Sequence, residues 1–90
     1  MATWLAKIDV TLKPTVNDPP GLAIRDALRQ LGLSGVESAR AGKHFEIVLE
    51  ATDQLSAEAD VRTMCQKLLA NPVIEQFNFV VEPAKAPVAG

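Results

Sequence analysis

From Trp4 to Lys13 the chain alternates without a break. Trp4, Ala6, Ile8, Val10 and Leu12 fall on one parity, and Lys7, Asp9, Thr11 and Lys13 on the other. Successive side chains of a strand point to opposite faces, so this run predicts a strand with one buried face. The same logic recurs downstream. Phe45, Ile47, Leu49 and Ala51 oppose Glu46 and Glu50, and Phe77, Phe79 and Val81 oppose Ile74, Gln76, Asn78 and Val80. The first reads as a strand over residues 44–51 and the second as a strand over residues 73–82.

Between these runs the period changes. Ile24, Ala27, Leu28 and Leu31 recur at helical spacing, behind an Asp18 placed to cap and prolines tolerated in a first turn. Gly32 stops this helix, with Leu33 positioned for a C-terminal capping contact. A second helix is expected to start near Ser56, with Glu58 and Asp60 in its positive first turn and Val61, Met64, Cys65 and Leu68 as its apolar stripe. Proline disfavours helical geometry in the residue before it, so Asn71-Pro72 ends that helix near Ala70. Residues 36–41 read as a further strand, joined to 44–51 through a Gly42-Lys43 hairpin turn. The expected order is βαββαβ, an α+β ferredoxin-like fold with a four-stranded antiparallel sheet and two helices on one face. Residues 1–83 form one domain in this reading, and 84–90 a flexible C-terminal tail.

A 90-residue chain buries a smaller fraction of its surface than a large one, which makes self-association a natural remedy. The sheet face away from the helices carries Leu5, Val48 and Val80 among charged neighbours, and these three are the candidate self-association residues. A net charge of −2 with scattered signs offers no basic stripe for nucleic acid or anionic membrane. No run reaches transmembrane length, the first residues lack the basic-then-apolar pattern expected of a signal peptide, and the single cysteine fits a reducing cytoplasm.

Motifs for chemistry are sparse. Gly42-Lys43 lacks the spacing, the following Ser or Thr, and the following helix of a phosphate loop. His44 and Glu46 share a strand face but lack a third metal ligand. Cys65 lies in an apolar stripe and reads as core. RNA-binding sheet domains of this strand order stack bases on exposed aromatics, whereas here Phe45 shares parity with the core and Glu46 and Glu50 would face the phosphates. No constellation for acid–base or nucleophilic catalysis remains, and the chain reads as a non-catalytic partner.

Several segments taken in order resemble the PurS family. They are Val10-Thr-Leu-Lys13, Asp18-Pro-Pro-Gly21, Ala27-Leu28 with Leu31-Gly32, Val36 with Arg40-Ala-Gly-Lys43, Glu46, and Cys65 through Leu68-Leu-Ala-Asn-Pro-Val-Ile-Glu75. The resemblance runs from about Lys7 to about Glu82. It departs at Pro20, where the family more often has glutamine. It implies the small subunit of phosphoribosylformylglycinamidine (FGAM) synthase, a glutamine-dependent, ATP-consuming ligase of de novo purine biosynthesis. In such a complex the subunit bridges a glutaminase, PurQ, and a synthetase, PurL, and assists ammonia transfer. It is itself a homo-dimer or tetramer and binds no cofactor, while ATP, Mg and glutamine are used by the other subunits.

The matched motifs place the partner interface at Lys13, Asp18, Pro19, Gly21, Arg40, Gly42, Lys43, Asn71 and Pro72. Arg40 and Lys43 are expected to be surface cations that folding does not require. The alternatives are a small-ligand regulatory module of the ACT type, which shares the strand order, and a structural oligomerisation domain.

Overall fold

In the computed structural model, which describes residues 1–84, the alternating runs become three strands and the helical runs two helices. Strand β1 spans Ala2–Leu12, helix α1 Pro19–Gln30, strand β2 Gly42–Ala51, helix α2 Gln54–Met64 and strand β3 Glu75–Pro83. A π-helical turn, Cys65–Leu69, extends α2. Residues 85–90, most of the expected tail, lie outside the described residues.

The sheet is antiparallel in the order β2-β1-β3, with Ile8 opposite Phe45 on one side and Phe79 on the other. Ala6, Ile8 and Val10 are fully buried, as the alternation of β1 requires. Against them pack Ala57 and Val61 of α2 and Cys65 at the start of the π-turn, four residues apart on one stripe. The Trp4 indole N–H donates to the Ala51 carbonyl at 3.2 Å, tying the end of β2 to β1.

Several expectations are corrected. There is no fourth strand among the described residues. Residues 36–41 are irregular, because their polar groups are engaged outside any ladder: the Val36 carbonyl accepts from the Arg29 guanidinium at 2.8 Å, and the Ala41 N–H donates to the Asp18 carboxylate at 3.0 Å. Gly42 is accordingly not a hairpin turn. It pairs with Thr11 as the first residue of β2, where a Cβ would meet the Val10 carbonyl oxygen and, at 2.7 Å, Thr11 Cγ2.

The two helices do not share one face of the sheet. α2 covers it, whereas α1 buries only Gly21 and leaves Ile24 and Leu31 exposed, at 45% and 77%. A Schellman motif closes α1 as expected, with Gly32 at φ 97° and the Leu33 N–H donating to the Leu28 carbonyl.

The second helix starts before the expected Ser56, capped by Asp53. Its carboxylate accepts from the Ser56 N–H at 2.8 Å, which starts α2 two residues earlier. The expected stripe also ends differently. Leu68 is 82% exposed, while Leu69 packs against the core and Ala70 is buried. The wider π-turn shifts the inward position by one residue relative to an α-helix.

Candidate functional site, a junction between three segments

At the end of β1 the chain must turn out to α1, and it later returns from that excursion to open β2. Asp18 holds both crossings. One carboxylate oxygen caps α1 by accepting from the Gly21 N–H, and the other accepts from the Ala41 N–H, both at 3.0 Å. Its side chain is 5% exposed. These two backbone donors, Ala41 first, hold its carboxyl below the usual carboxylate range, with the Arg40 guanidinium adding a smaller pull and burial opposing. Gly21 has no alternative here, since a Cβ would run into the Ala39 carbonyl oxygen.

Arg40 closes the same junction from outside. One guanidinium nitrogen donates to the carbonyls of Leu12, at 2.6 Å, and Lys13, at 2.9 Å, and Nε lies 3.9 Å from Asp18. Arg40 is therefore built into the fold, contrary to its expected role as a cation that folding does not need. Lys43, the second residue of β2, pairs with Glu75 at 3.5 Å, its side chain 57% exposed.

The third segment enters through Glu75. Its carboxylate also accepts from the Asn71 N–H at 2.7 Å, and the Asn71 side-chain oxygen accepts from the Val73 N–H, forming a tight turn around Pro72. The Asn71 carbonyl accepts from Ile74 and Glu75, and the Ile74 carbonyl from the Lys13 N–H. Lys13, Asp18, Gly21, Arg40, Gly42, Lys43, Asn71 and Pro72 thus belong to one end of the sheet. Asp18 and Gly21 form its interior, whereas Pro19, Lys43, Asn71 and Pro72 face outward. The motif reading missed Glu75 as the hub between Lys43 and Asn71, although its spacing of four from Asn71 across a proline turn was a usable signal. At this hub lies a cavity of about 330 Å³ between the π-turn and β3, whose lining includes Cys65, Ala70, Pro72, Glu75 and Phe77. Burial pushes the Cys65 thiol up, against a weaker opposing pull from Arg62.

Leu5, Val48 and Val80 meet on the opposite, open face. Leu5 pairs with Val48 across β1 and β2, and Val80 with Lys7 across β1 and β3. On the same face His44 lies between two carboxylates, Nδ1 2.7 Å from Asp9 and Nε2 3.1 Å from Glu46. The sequence reading placed Asp9 on the polar parity of β1 without a partner, and its position opposite His44 follows from the register of β1 with β2. Both carboxylates, Asp9 foremost, raise the imidazole above its ordinary value. No group of three side chains placed to share one metal ion occurs among the described residues.

Fold and junction define the class first: a small α+β chain with an open three-stranded sheet, whose most specified polar network locks loops together instead of lining a deep cleft. Comparison with known proteins then narrows it. Residues 5–83 match the family model PurS, phosphoribosylformylglycinamidine (FGAM) synthase. The phosphoribosylformylglycinamidine synthase subunit PurS of Synechocystis sp. is 45% identical over 96% of this chain and 86% of its own length. That of Bacillus subtilis is 40% identical over 92% of this chain and 98% of its own. Among solved structures, PurLQS from Thermotoga maritima contains a chain that superposes with a TM-score of 0.83 at 32% identity, covering 91% of this chain and all of that one. The chain belongs to the PurS family.

Proposed function

We propose that this chain is the small, non-catalytic subunit of phosphoribosylformylglycinamidine synthase, joining the glutaminase subunit PurQ to the synthetase subunit PurL. The observation that carries this reading is the likeness to the Thermotoga maritima PurLQS structure, which spans the whole of the matched chain. The residue chemistry supports a bridging role. The polar groups of highest order, those around Asp18, Arg40 and Glu75, are consumed in shaping a surface. Pro19, Lys43, Asn71 and Pro72 stand outward on that surface as the contacts a partner would meet.

Ammonia released into water is protonated and diluted, so a subunit that holds two active sites together raises the yield of transfer without performing any step. In this reading the chain binds no cofactor, and ATP, Mg and glutamine are handled by PurL and PurQ. It works in the cytoplasm as a dimer or tetramer. No helix among the described residues is long and apolar enough to cross a membrane.

The test is assembly. Tagged chain mixed with PurL and PurQ from the same organism should elute with both in one complex. Lys43→Ala combined with Asn71→Ala should weaken that complex while the variant stays folded. Elution of the unmodified chain apart from both proteins contradicts the proposal.

A further inference from the structure

The open face of the sheet holds more negative charge than the whole chain does. Strand register places Asp9, Glu46, Glu50 and Glu82 on it against one full cation, Lys7, a net −3 with His44 neutral, while the complete sequence is −2. The remainder of the molecule is left with one excess cation whichever form His44 takes. Some of the charge is already answered: Lys7 lies 3.1 Å from Glu82, and His44 stands between Asp9 and Glu46. Glu50, opposite Thr3, has no ion-pair partner among the described residues. No described element packs on this face, since α2 covers the other one.

Apolar side chains cross the same face from strand to strand. Val48 is opposite Leu5, and Val80 is opposite Lys7 on the far side of β1, so the three form a row that cuts across β2, β1 and β3. Val48 and Val80 are 45% and 61% exposed. Strands about 4.8 Å apart make that row roughly 10 Å long, the length of two helical turns. Acidic side chains border it, Glu50 and Glu82 toward the start of β1 and Glu46 and Asp9 toward its end. An apolar row between two acidic borders matches a helix with one apolar stripe and cations on its flanks. It does not match its own image, because a second copy laid on it would bring like charges together. The face also runs into the junction: Asp9 and His44 are one pair away from Val10 and Lys43.

We propose that the open face receives a basic amphipathic helix of a partner subunit, with the helix's apolar stripe on Leu5, Val48 and Val80 and its Lys or Arg side chains on Glu46 and Glu50. The inference rests on the chain's proposed place in the synthase complex and adds a second contact surface to the junction there. It gives the three apolar residues an occupant other than another copy of this chain.

The experiment measures binding of the full chain to PurL and PurQ together at low ionic strength. Glu46→Gln with Glu50→Gln should leave circular dichroism unchanged and weaken the complex roughly tenfold, and added salt should weaken the unmodified complex more than the variant one. Carbodiimide treatment of the complex should join Glu46 or Glu50 to a lysine within a helix of PurL or PurQ. Equal affinity and equal salt dependence for the two forms overturn the inference and leave the proposed function standing. A fall in the mass of the chain alone on Val80→Glu, read by light scattering, overturns it too, by assigning the face to a second copy. If the unmodified chain binds neither protein, the proposed function fails and this inference with it.

Discussion

The carboxylate of Asp18 accepts a hydrogen bond from the Ala41 N–H, 23 residues further along the chain, while capping the helix that begins beside it. One buried side chain thus fixes both ends of the excursion that carries α1. Asp18→Ala removes the cap and leaves the Ala41 donor unpaired. We predict a fall in melting temperature of more than about 5 °C, read by circular dichroism, because so small a domain shifts by several degrees for each lost interaction of this kind.

The same carboxylate sets an acid limit. Its folded pKa lies below the ordinary 3.8, so its contribution to stability is complete above that value and is lost as pH falls through the lowered folded pKa. Asp18→Asn should therefore be less stable than the parent at neutral pH and show a smaller loss between neutral pH and pH near 3. Parallel stability curves for the two proteins would remove Asp18 from the acid transition.

Arg40 and Lys43 should separate cleanly. Arg40 satisfies two carbonyls at the end of β1, whereas Lys43 makes one ion pair with more than half its side chain in water. Arg40→Ala is expected to lower the melting temperature measurably. Lys43→Ala should change stability by no more than about 1 kcal/mol, the range of exposed ion pairs. Equal melting temperatures for both variants would contradict the role given to Arg40.

His44 gives the opposite pH dependence. A neutral imidazole has one N–H and cannot donate to Asp9 and Glu46 together, so the bridge between β1 and β2 needs the doubly protonated ring. With its folded pKa raised above 6.5, its contribution is present in full below 6.5 and disappears as pH rises through the raised value. A titration followed by NMR should place His44 above 6.5, and His44→Gln should flatten the loss of stability over that window.

The π-turn can be tested by two neighbouring leucines. Leu69→Ala removes a side chain packed against the core and should cost about 2 kcal/mol. Leu68→Ala, at a position 82% exposed, should stay within about 0.5 kcal/mol. The reverse ranking would mean that α2 continues as an α-helix past Cys65.

Local pattern carried much of the fold. The parity of β1, β2 and β3, the positions of both helices, the Gly32 stop and the break at Asn71-Pro72 were all legible, since each depends on side chains a few residues apart. What pattern missed depends on partners far along the chain. Residues 36–41 read as a strand because nothing local says that Asp18, Arg29 and the end of β1 claim their polar groups. Leu68 read as core because a π-turn leaves no mark in the periodicity. The stripe of α1 was correctly seen as apolar, but its spacing says only that it is amphipathic, not which surface it meets. At the junction the motif residues do gather at one end of the sheet, yet sequence had no means to tell the buried Asp18 from the outward Lys43.

If this chain couples two active sites belonging to PurL and PurQ, its effect on turnover should depend on the nitrogen source. The direct measurement is FGAM synthase turnover by PurL and PurQ with and without this chain, run once with glutamine and once with ammonium as the nitrogen source. The account predicts that adding the chain raises glutamine-dependent turnover far more than ammonia-dependent turnover. Equal stimulation of the two reactions, or none in either, would contradict it.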